Sequence, residues 1–317
     1  MKILVTPTSL QPGKNEEALE TLREFSAELV FNPFGRPLDE NEVISLLNDC
    51  DGYVAGLDQI TRNVFAACPN LKAVSRYGAG YDRIDTAAAK QYGVTLTNTP
   101  GVNSQAVGEL AFSLILSVSR NIPYLNEQTR AGEWVRTTGM ELKGKTLGII
   151  GLGAIGKVVA RCGQGFGMNV IAYDSYIDRS FCADHRIRNC SFAEVIALSD
   201  VISLHLPLNS ETHHLIDADC FDKMKDKSIL VNTSRGGIID ENAAYQALKS
   251  KKIRGLGLDA FEVEPPKDSK LFEFTNVIAT PHAGAHTEEA TYNMAAAAVK
   301  NLIDVLSGNS CPYIINQ

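Results

Sequence analysis

Late in the chain, three stretches each carry one chemically able side chain just beyond an apolar run. They are Arg235 in VNTSRGGIID, Glu264 in GLDAFEVEPP and His282 in IATPHAGAH. A guanidinium grips a carboxylate through paired, charge-assisted donors. A histidine beside a carboxylate holds a proton near neutral pH and can hand it to a substrate oxygen. Together these types suit reduction of a 2-keto acid, in which hydride reaches the carbonyl carbon and a proton reaches its oxygen. If the apolar runs are parallel strands, all three residues lie beyond the strands' carboxyl ends, where open α/β sheets bind ligands. Among the other histidines, His205 falls within an apolar run and reads as pocket lining or core. His213 and His214 lie in a polar stretch and read as surface, and His286 is assigned no role.

Hydride needs a carrier, and the stretch KTLGIIGLGAIGKVVARCGQGFGMNVIAYD (residues 145–174) is built to hold one. A strand runs into Gly151-Leu152-Gly153-Ala154-Ile155-Gly156, a helix opens at Ala154 and Ile155, and Asp174 ends the next strand 18 residues after Gly156. Gly151 permits a tight turn, Gly153 lets backbone N–H groups approach a pyrophosphate, and Gly156 allows close helix–strand packing. The helix N-terminus favours the phosphates. Asp174 is placed to accept from both ribose hydroxyls and to repel a 2′-phosphate, so the expected cofactor is NAD rather than NADP.

The elements that must position these residues form two alternating series. Before residue 100, KILVT, ELVFN, GYVAG, LKAVSR and VTLTN read as strands, with NEEALETLREF and DENEVISLLND as amphipathic helices. After Gly144, TLGII, NVIAY, VISLHLPL, SILVNTS, RGLGLDAF and NVIATPH read as buried parallel strands. Between them Asn103 is a good N-cap for the helix SQAVGELAFSLILSVSR. That helix is apolar nearly all round, which demands burial on more than one face, in the fold interior or against a second subunit. A last helix is expected from residue 287 to about 306. The fold class is therefore α/β, and 317 residues favour two domains.

Composition bounds the function. The chain is 44% hydrophobic and 21% charged with a formal net charge of -7, which argues against a nucleic-acid partner. It has no 18-residue apolar span, so no membrane crossing is expected. Its seven cysteines (Cys50, Cys68, Cys162, Cys182, Cys190, Cys220 and Cys311) are scattered and form no CxxC pair. A reduced cytoplasmic protein without a metal site is the expectation.

Seven ordered motifs complete the picture: RYGAGYDRID, NTPGVNSQAVGEL, LKGKTLGIIGLGAIGK, HLPLNSETHHLI, NTSRGGIIDE, DAFEVEPP and TPHAGAHT. In this order, over essentially the whole chain, they resemble the D-2-hydroxyacid dehydrogenases, especially the phosphoglycerate dehydrogenase-like branch. The resemblance implies a Rossmann domain at 101–285 and a flavodoxin-like substrate domain made of 1–100 plus 286–317. It further implies that Arg235 binds the substrate's carboxylate and carbonyl, while His282, paired with Glu264, gives or takes the proton. Tyr77, Gly78 and Ala79 would turn backbone N–H groups to the substrate carboxylate. Asp259 would lie by the nicotinamide amide, with His205, Pro207, Thr212, Thr233, Ser234 and Gly284 lining the cofactor.

Where phosphoglycerate-specific members carry an Arg-Ser pair, this chain reads Ala55-Gly56, followed by Leu57 and Asp58. Neither a phosphate donor nor, in a chain ending at Gln317, a regulatory serine-binding domain is expected. The expected substrate is therefore a 2-hydroxy or 2-keto acid with a small or uncharged side chain, with D-3-phosphoglycerate as the alternative. Formate dehydrogenases carry glutamine at the place of Glu264. An alternative of another class is an NAD-sensing corepressor, in which cofactor binding changes assembly. A homodimer through the helix starting near Ser104 is the expected assembly.

Overall fold

A computed structural model describes residues 1–25 and 28–317, which form two compact units, Met1–Asn103 with Ala285–Gln317, and Ser104–Gly284. The first unit alternates β1 (Lys2–Val5), α1 (Glu16–Phe25), β2 (Glu28–Phe31), α2 (Glu40–Leu47), β3 (Gly52–Ala55), α3 (Arg62–Ala67), β4 (Ala73–Arg76), α4 (Thr86–Gln91) and β5 (Thr95–Thr97). Its five strands are all parallel in the order β2-β1-β3-β4-β5, the flavodoxin-like arrangement. The helix Glu288–Leu306, capped by the Thr287 side chain, closes one face of this sheet. Its Met294, Ala295, Ala298, Val299 and Leu302 pack with Ile3, Val5, Leu19, Leu22 and Val54.

The second unit opens with α5 (Ser104–Arg120) and α6 (Ile122–Arg130). Then follow β6 (Thr146–Ile150), α7 (Ala154–Gly165), β7 (Asn169–Tyr173), α8 (Arg179–Asp184), β8 (Arg188–Asn189), α9 (Phe192–Leu198) and β9 (Val201–Leu204). The unit ends with α10 (Ala218–Lys223), β10 (Ser228–Asn232), α11 (Glu241–Lys249), β11 (Ile253–Leu258) and β12 (Val277–Ala279). Seven parallel strands run β12-β11-β10-β9-β6-β7-β8, so the strand order reverses beside β6, where a Rossmann sheet takes its dinucleotide.

Both faces of this sheet are covered, which is why its strands read as unbroken apolar runs. On one side Leu147, Ile149, Val201, Ile229 and Val231 meet Ala111, Phe112, Leu114, Ile115 and Val118 of α5. On the other, Ile202, Leu204, Leu230, Leu256 and Leu258 meet Val195, Ile196, Phe221, Ala244 and Leu248. The all-round apolar character of α5 is thus met largely within its own unit, against α7, β10 and β11. Its outward residues are the polar Gln105, Glu109, Ser113 and Arg120. Strands also stop sooner than their apolar runs: β9 ends at Leu204, and His205-Leu206-Pro207 leave the sheet, since proline has no N–H for a ladder.

Candidate active site

At the glycine turn, the three glycines separate by what surrounds them. Gly151 adopts φ +96°, and a Cβ there would lie 2.4 Å from the His205 carbonyl oxygen. A Cβ on Gly156 would lie 2.2 Å from the Gly151 oxygen. Gly153 alone faces no protein atom within 4 Å. It is also the N-cap of α7 and offers no side-chain acceptor, so the first N–H groups of a 12-residue helix, including those of Ala154 and Ile155, are left for a ligand. Asp174 closes the other side. Its Oδ2 accepts from Leu152 N at 2.7 Å and its Oδ1 from Tyr176 N at 2.8 Å. Each oxygen retains a second lone pair for a ribose hydroxyl.

Around the neighbouring strand ends, polar groups lie in wait. His205 donates or accepts through Nε2 with Ser203 Oγ at 2.9 Å, and burial pushes its pKa down to about 3, so the ring is neutral. Its buried Nδ1 and the buried Thr233 Oγ1 find no hydrogen-bond partner among the described residues. Such orphans are costly unless a ligand satisfies them. Thr212 is different: its Oγ1 donates to the Pro207 carbonyl at 2.7 Å and accepts from Asn209 N at 2.9 Å, shaping the turn that carries Pro207.

The chemically able residues follow three adjacent strands. Arg235 lies beyond β10, Glu264 beyond β11 and His282 beyond β12. Asn232, unnoticed in the sequence, folds the first turn: its Oδ1 accepts from Ser234 N and Oγ, and its Nδ2 donates to the Arg235 carbonyl at 2.7 Å. This is the local side-chain turn for which asparagine is suited. His282 Nδ1 and Glu264 Oε1 are 2.9 Å apart, which leaves Nε2 as the nitrogen for a substrate. The pair is only partly exposed, at 27% and 18% of the side chains. Water therefore screens it incompletely.

His282 itself has φ +52°, a left-handed conformation uncommon for residues other than glycine, though histidine enters it more readily than most. Asp259, 2% exposed, holds that turn in place. Its Oδ1 accepts from Thr280 Oγ1 at 2.6 Å and Ala283 N at 2.8 Å, and its Oδ2 from Gly284 N at 2.8 Å. Asp259 is thus first a clamp on the His282 turn, with one lone pair of Oδ2 remaining for a cofactor amide. Gly284 belongs to the same clamp. A Cβ on it would stand 3.0 Å from Asp259 Oδ2.

In the first unit, Tyr77 and Gly78 have their N–H groups engaged within the protein. Tyr77 N already donates to the Ala55 carbonyl, and Gly78 N to Thr99 Oγ1, both at 2.9 Å. The Tyr77 ring is anchored by Ser9 and by the Thr291 carbonyl. Of the three, Ala79 alone has an N–H with no acceptor among the described residues. Gly78 instead provides room: it adopts φ +130°, and a Cβ there would crowd the Arg76 guanidinium at 3.2 Å.

Asp58, at the place where a phosphate donor is missing, is buried and fully engaged. It is 2% exposed and accepts from Thr6 Oγ1, Tyr53 OH (2.8 Å), Gly56 N (2.9 Å) and Leu38 N (2.7 Å). Burial and this carboxylate push the Tyr53 phenol well above its ordinary pKa. Arg76, 8% exposed, donates to the carbonyls of Gly80 and Tyr77.

Among the described residues no cluster of His, Cys, Asp or Glu is arranged to hold a metal, and no helix is long and apolar enough to cross a membrane. The open Gly153, the uncapped α7 and the orphaned His205 and Thr233 atoms all fit a dinucleotide. Residues 112–284 match the model of the D-isomer specific 2-hydroxyacid dehydrogenase NAD binding domain. The chain is 39% identical to a D-3-phosphoglycerate dehydrogenase of Methanocaldococcus jannaschii, matching over its full length but spanning only 60% of that protein. It is 38% identical to a glyoxylate reductase of Thermofilum pendens, with 100% of this chain and 94% of the relative covered. A D-lactate dehydrogenase from Aquifex aeolicus, solved with NAD and lactic acid, superposes with a TM-score of 0.87 at 28% identity over 99% of this chain and 98% of that one. The two parallel-sheet units, the dinucleotide turn and these matches place the chain in the family of D-isomer specific, NAD-dependent 2-hydroxyacid dehydrogenases.

Proposed function

We propose that the chain reduces small 2-keto acids without a charged side chain, such as glyoxylate or hydroxypyruvate, at the expense of NADH. NAD, when bound, supplies or takes up the hydride. The Gly151–Gly156 turn and α7 hold its pyrophosphate, Asp174 its adenosine ribose, and His205, Thr233 and Asp259 its nicotinamide half. Arg235 takes the substrate carboxylate and steadies its carbonyl. His282 donates the proton to the carbonyl oxygen from Nε2, and Glu264 on Nδ1 fixes the ring's orientation and stabilises its charged form.

The observation that carries the substrate class is the segment from Ala55 to Asp58. It contributes no cation of its own, its one carboxylate accepts from four donors, and the two guanidiniums that reach it, Arg76 and Arg83, already donate to the Ala55 and Leu57 carbonyls, at 3.5 and 3.3 Å. A phosphate that loses charge-assisted donors worth about 1.5–3 kcal/mol each loses on the order of a hundredfold or more in kcat/KM. The test is NADH oxidation with glyoxylate, hydroxypyruvate, pyruvate and 3-phosphohydroxypyruvate. Preference for the phosphorylated acid establishes the phosphoglycerate reading instead, and absence of turnover with all four favours an NAD-sensing binding protein. In the same assay Asp174→Ala is expected to weaken NADH about 10–100-fold, by loss of hydrogen bonds to a charged group, and to narrow its advantage over NADPH. A wild-type preference for NADPH contradicts the assignment.

We further propose a homodimer. Three of the exposed apolar side chains follow α5 in sequence: α6 has no buried residue, Ile122 is 50% and Trp134 80% exposed, and Val135 next to it in the chain is exposed too. Two-fold dimers are the commonest homo-oligomers, and such side chains are suited to burial in one. Light scattering is expected to give about twice the 34.4 kDa chain mass, and a monomer at micromolar concentration refutes the dimer.

A further inference from the structure

The acid–base loop and the guanidinium turn meet backbone to backbone. A Cβ on Gly236 would lie 1.8 Å from the Phe261 carbonyl carbon and 2.3 Å from Glu262 N. That contact sets how near Arg235, the preceding residue, can come to the Phe261–Glu262 peptide. Contact alone does not prevent sliding. A reciprocal pair of hydrogen bonds does: Glu262 N donates to Glu241 Oε1 at 2.8 Å, and Glu241 N donates to Glu262 Oε1 at 3.1 Å.

A third segment joins at the same oxygen. His214 Nε2 lies 3.0 Å from Glu262 Oε1, while His214 N donates to the Gly237 carbonyl at 2.7 Å. The fixed peptide then acts on the acid–base pair directly, because Phe261 N donates at 3.3 Å to Glu264 Oε1, the oxygen that pairs with His282. Burial raises the Glu241 pKa, the Glu262 N–H opposes that rise, and the neighbouring Glu262 charge adds to it. Two carboxylates are thus kept side by side by the N–H groups between them.

We propose that Glu262, with Glu241 and His214, is a positioning residue for the reaction: the clasp sets the register of Arg235 against the Glu264–His282 pair. It touches neither substrate nor cofactor. The inference rests on the roles proposed above for Arg235, Glu264 and His282. Misplacing a reacting group by about 1 Å costs up to about a hundredfold in rate, and this clasp is what resists such a shift.

The test uses the full chain with NADH and saturating glyoxylate or hydroxypyruvate. Glu262→Ala is expected to lower kcat about 10–100-fold while NADH affinity, read by fluorescence titration, changes less than about twofold. Glu262→Gln is expected to recover kcat to within about threefold, since its amide oxygen still accepts from Glu241 N and His214. Should Glu262→Ala not fold, His214→Ala, on a partly exposed side chain, is expected to lower kcat about threefold or more with the same unchanged NADH affinity. Unchanged kcat in the folded Glu262→Ala or His214→Ala protein overturns the clasp, as does equal loss in the Ala and Gln variants. His282→Ala is assayed alongside: if it alone stays active, the acid–base reading fails, whereas an inactive His282→Ala beside a fully active Glu262→Ala refutes only the clasp.

Discussion

His282→Ala is expected to lower kcat by about 10²–10⁴-fold while leaving NADH affinity nearly intact. The side chain belongs to the turn beyond β12, and its Nδ1 is committed to Glu264, so the service proposed for it is donation of the Nε2 proton. Removing the ring takes away that donor without touching Gly153, α7 or Asp174, where the cofactor is proposed to bind. The loss therefore falls on kcat and kcat/KM together, the signature of an interaction made in the transition state. Arg235→Ala differs, raising KM as well, because a guanidinium on the carboxylate holds ground and transition states alike. Steady-state kinetics with NADH and a saturating keto acid separate the two. A His282→Ala protein with near wild-type turnover removes His282 from the mechanism.

Asp259→Asn is expected to damage stability and activity at once. Three donors, from Thr280, Ala283 and Gly284, converge on the Asp259 carboxylate, which is 2% exposed. Asparagine offers one oxygen, so its NH2 group must face at least one of these N–H or O–H groups. A hydrogen bond to a buried charge contributes about 1.5–3 kcal/mol, and an unsatisfied buried donor costs about 1–3 kcal/mol. Loss of about 2–4 kcal/mol lowers Tm by roughly 5–15 °C for a unit of this size. The turn it releases holds His282 in a left-handed conformation that the chain does not favour alone, so kcat is expected to fall about a hundredfold as well. Thermal unfolding and kcat, measured on one preparation, check both; an Asn variant with unchanged Tm contradicts the clamp.

These two residues also mark what a sequence can reveal. Gly151, Gly153 and Gly156 were legible because a strand, a turn and a helix announce themselves within a few residues, and Asp174 because it ends the very next strand. The parallel strands were legible as unbroken apolar runs, though their ends were not, since Pro207 stops a ladder that hydrophobicity alone continues. The clamp that Asp259 forms is not legible in the sequence, because its oxygens hold residues 21–25 positions away. The burial of Asp58 is not legible in the sequence because its donors Thr6 and Leu38 are 52 and 20 residues distant. His214 reads as surface for the same reason: Glu262 is 48 residues on, and no periodicity links them. For the Tyr77 and Gly78 N–H groups, named from the resemblance, the acceptors Ala55 and Thr99 are 22 and 21 residues away and equally invisible in the sequence.

The first unit is assembled from two stretches of chain with about 180 residues of the second between them, and this has a consequence for biosynthesis. At roughly 5–20 residues per second, a ribosome takes about 10–40 s to pass from the end of the first stretch to the start of the second. Throughout that interval Ile3, Val5, Leu19, Leu22 and Val54 lack the helix that will cover them, although their sheet can already pair. The Ser104–Gly284 unit, continuous in sequence, carries its own core on both faces and is free to close meanwhile. The nascent chain thus carries a unit with a core of its own beside a sheet that stays uncovered on one face until the last helix is made.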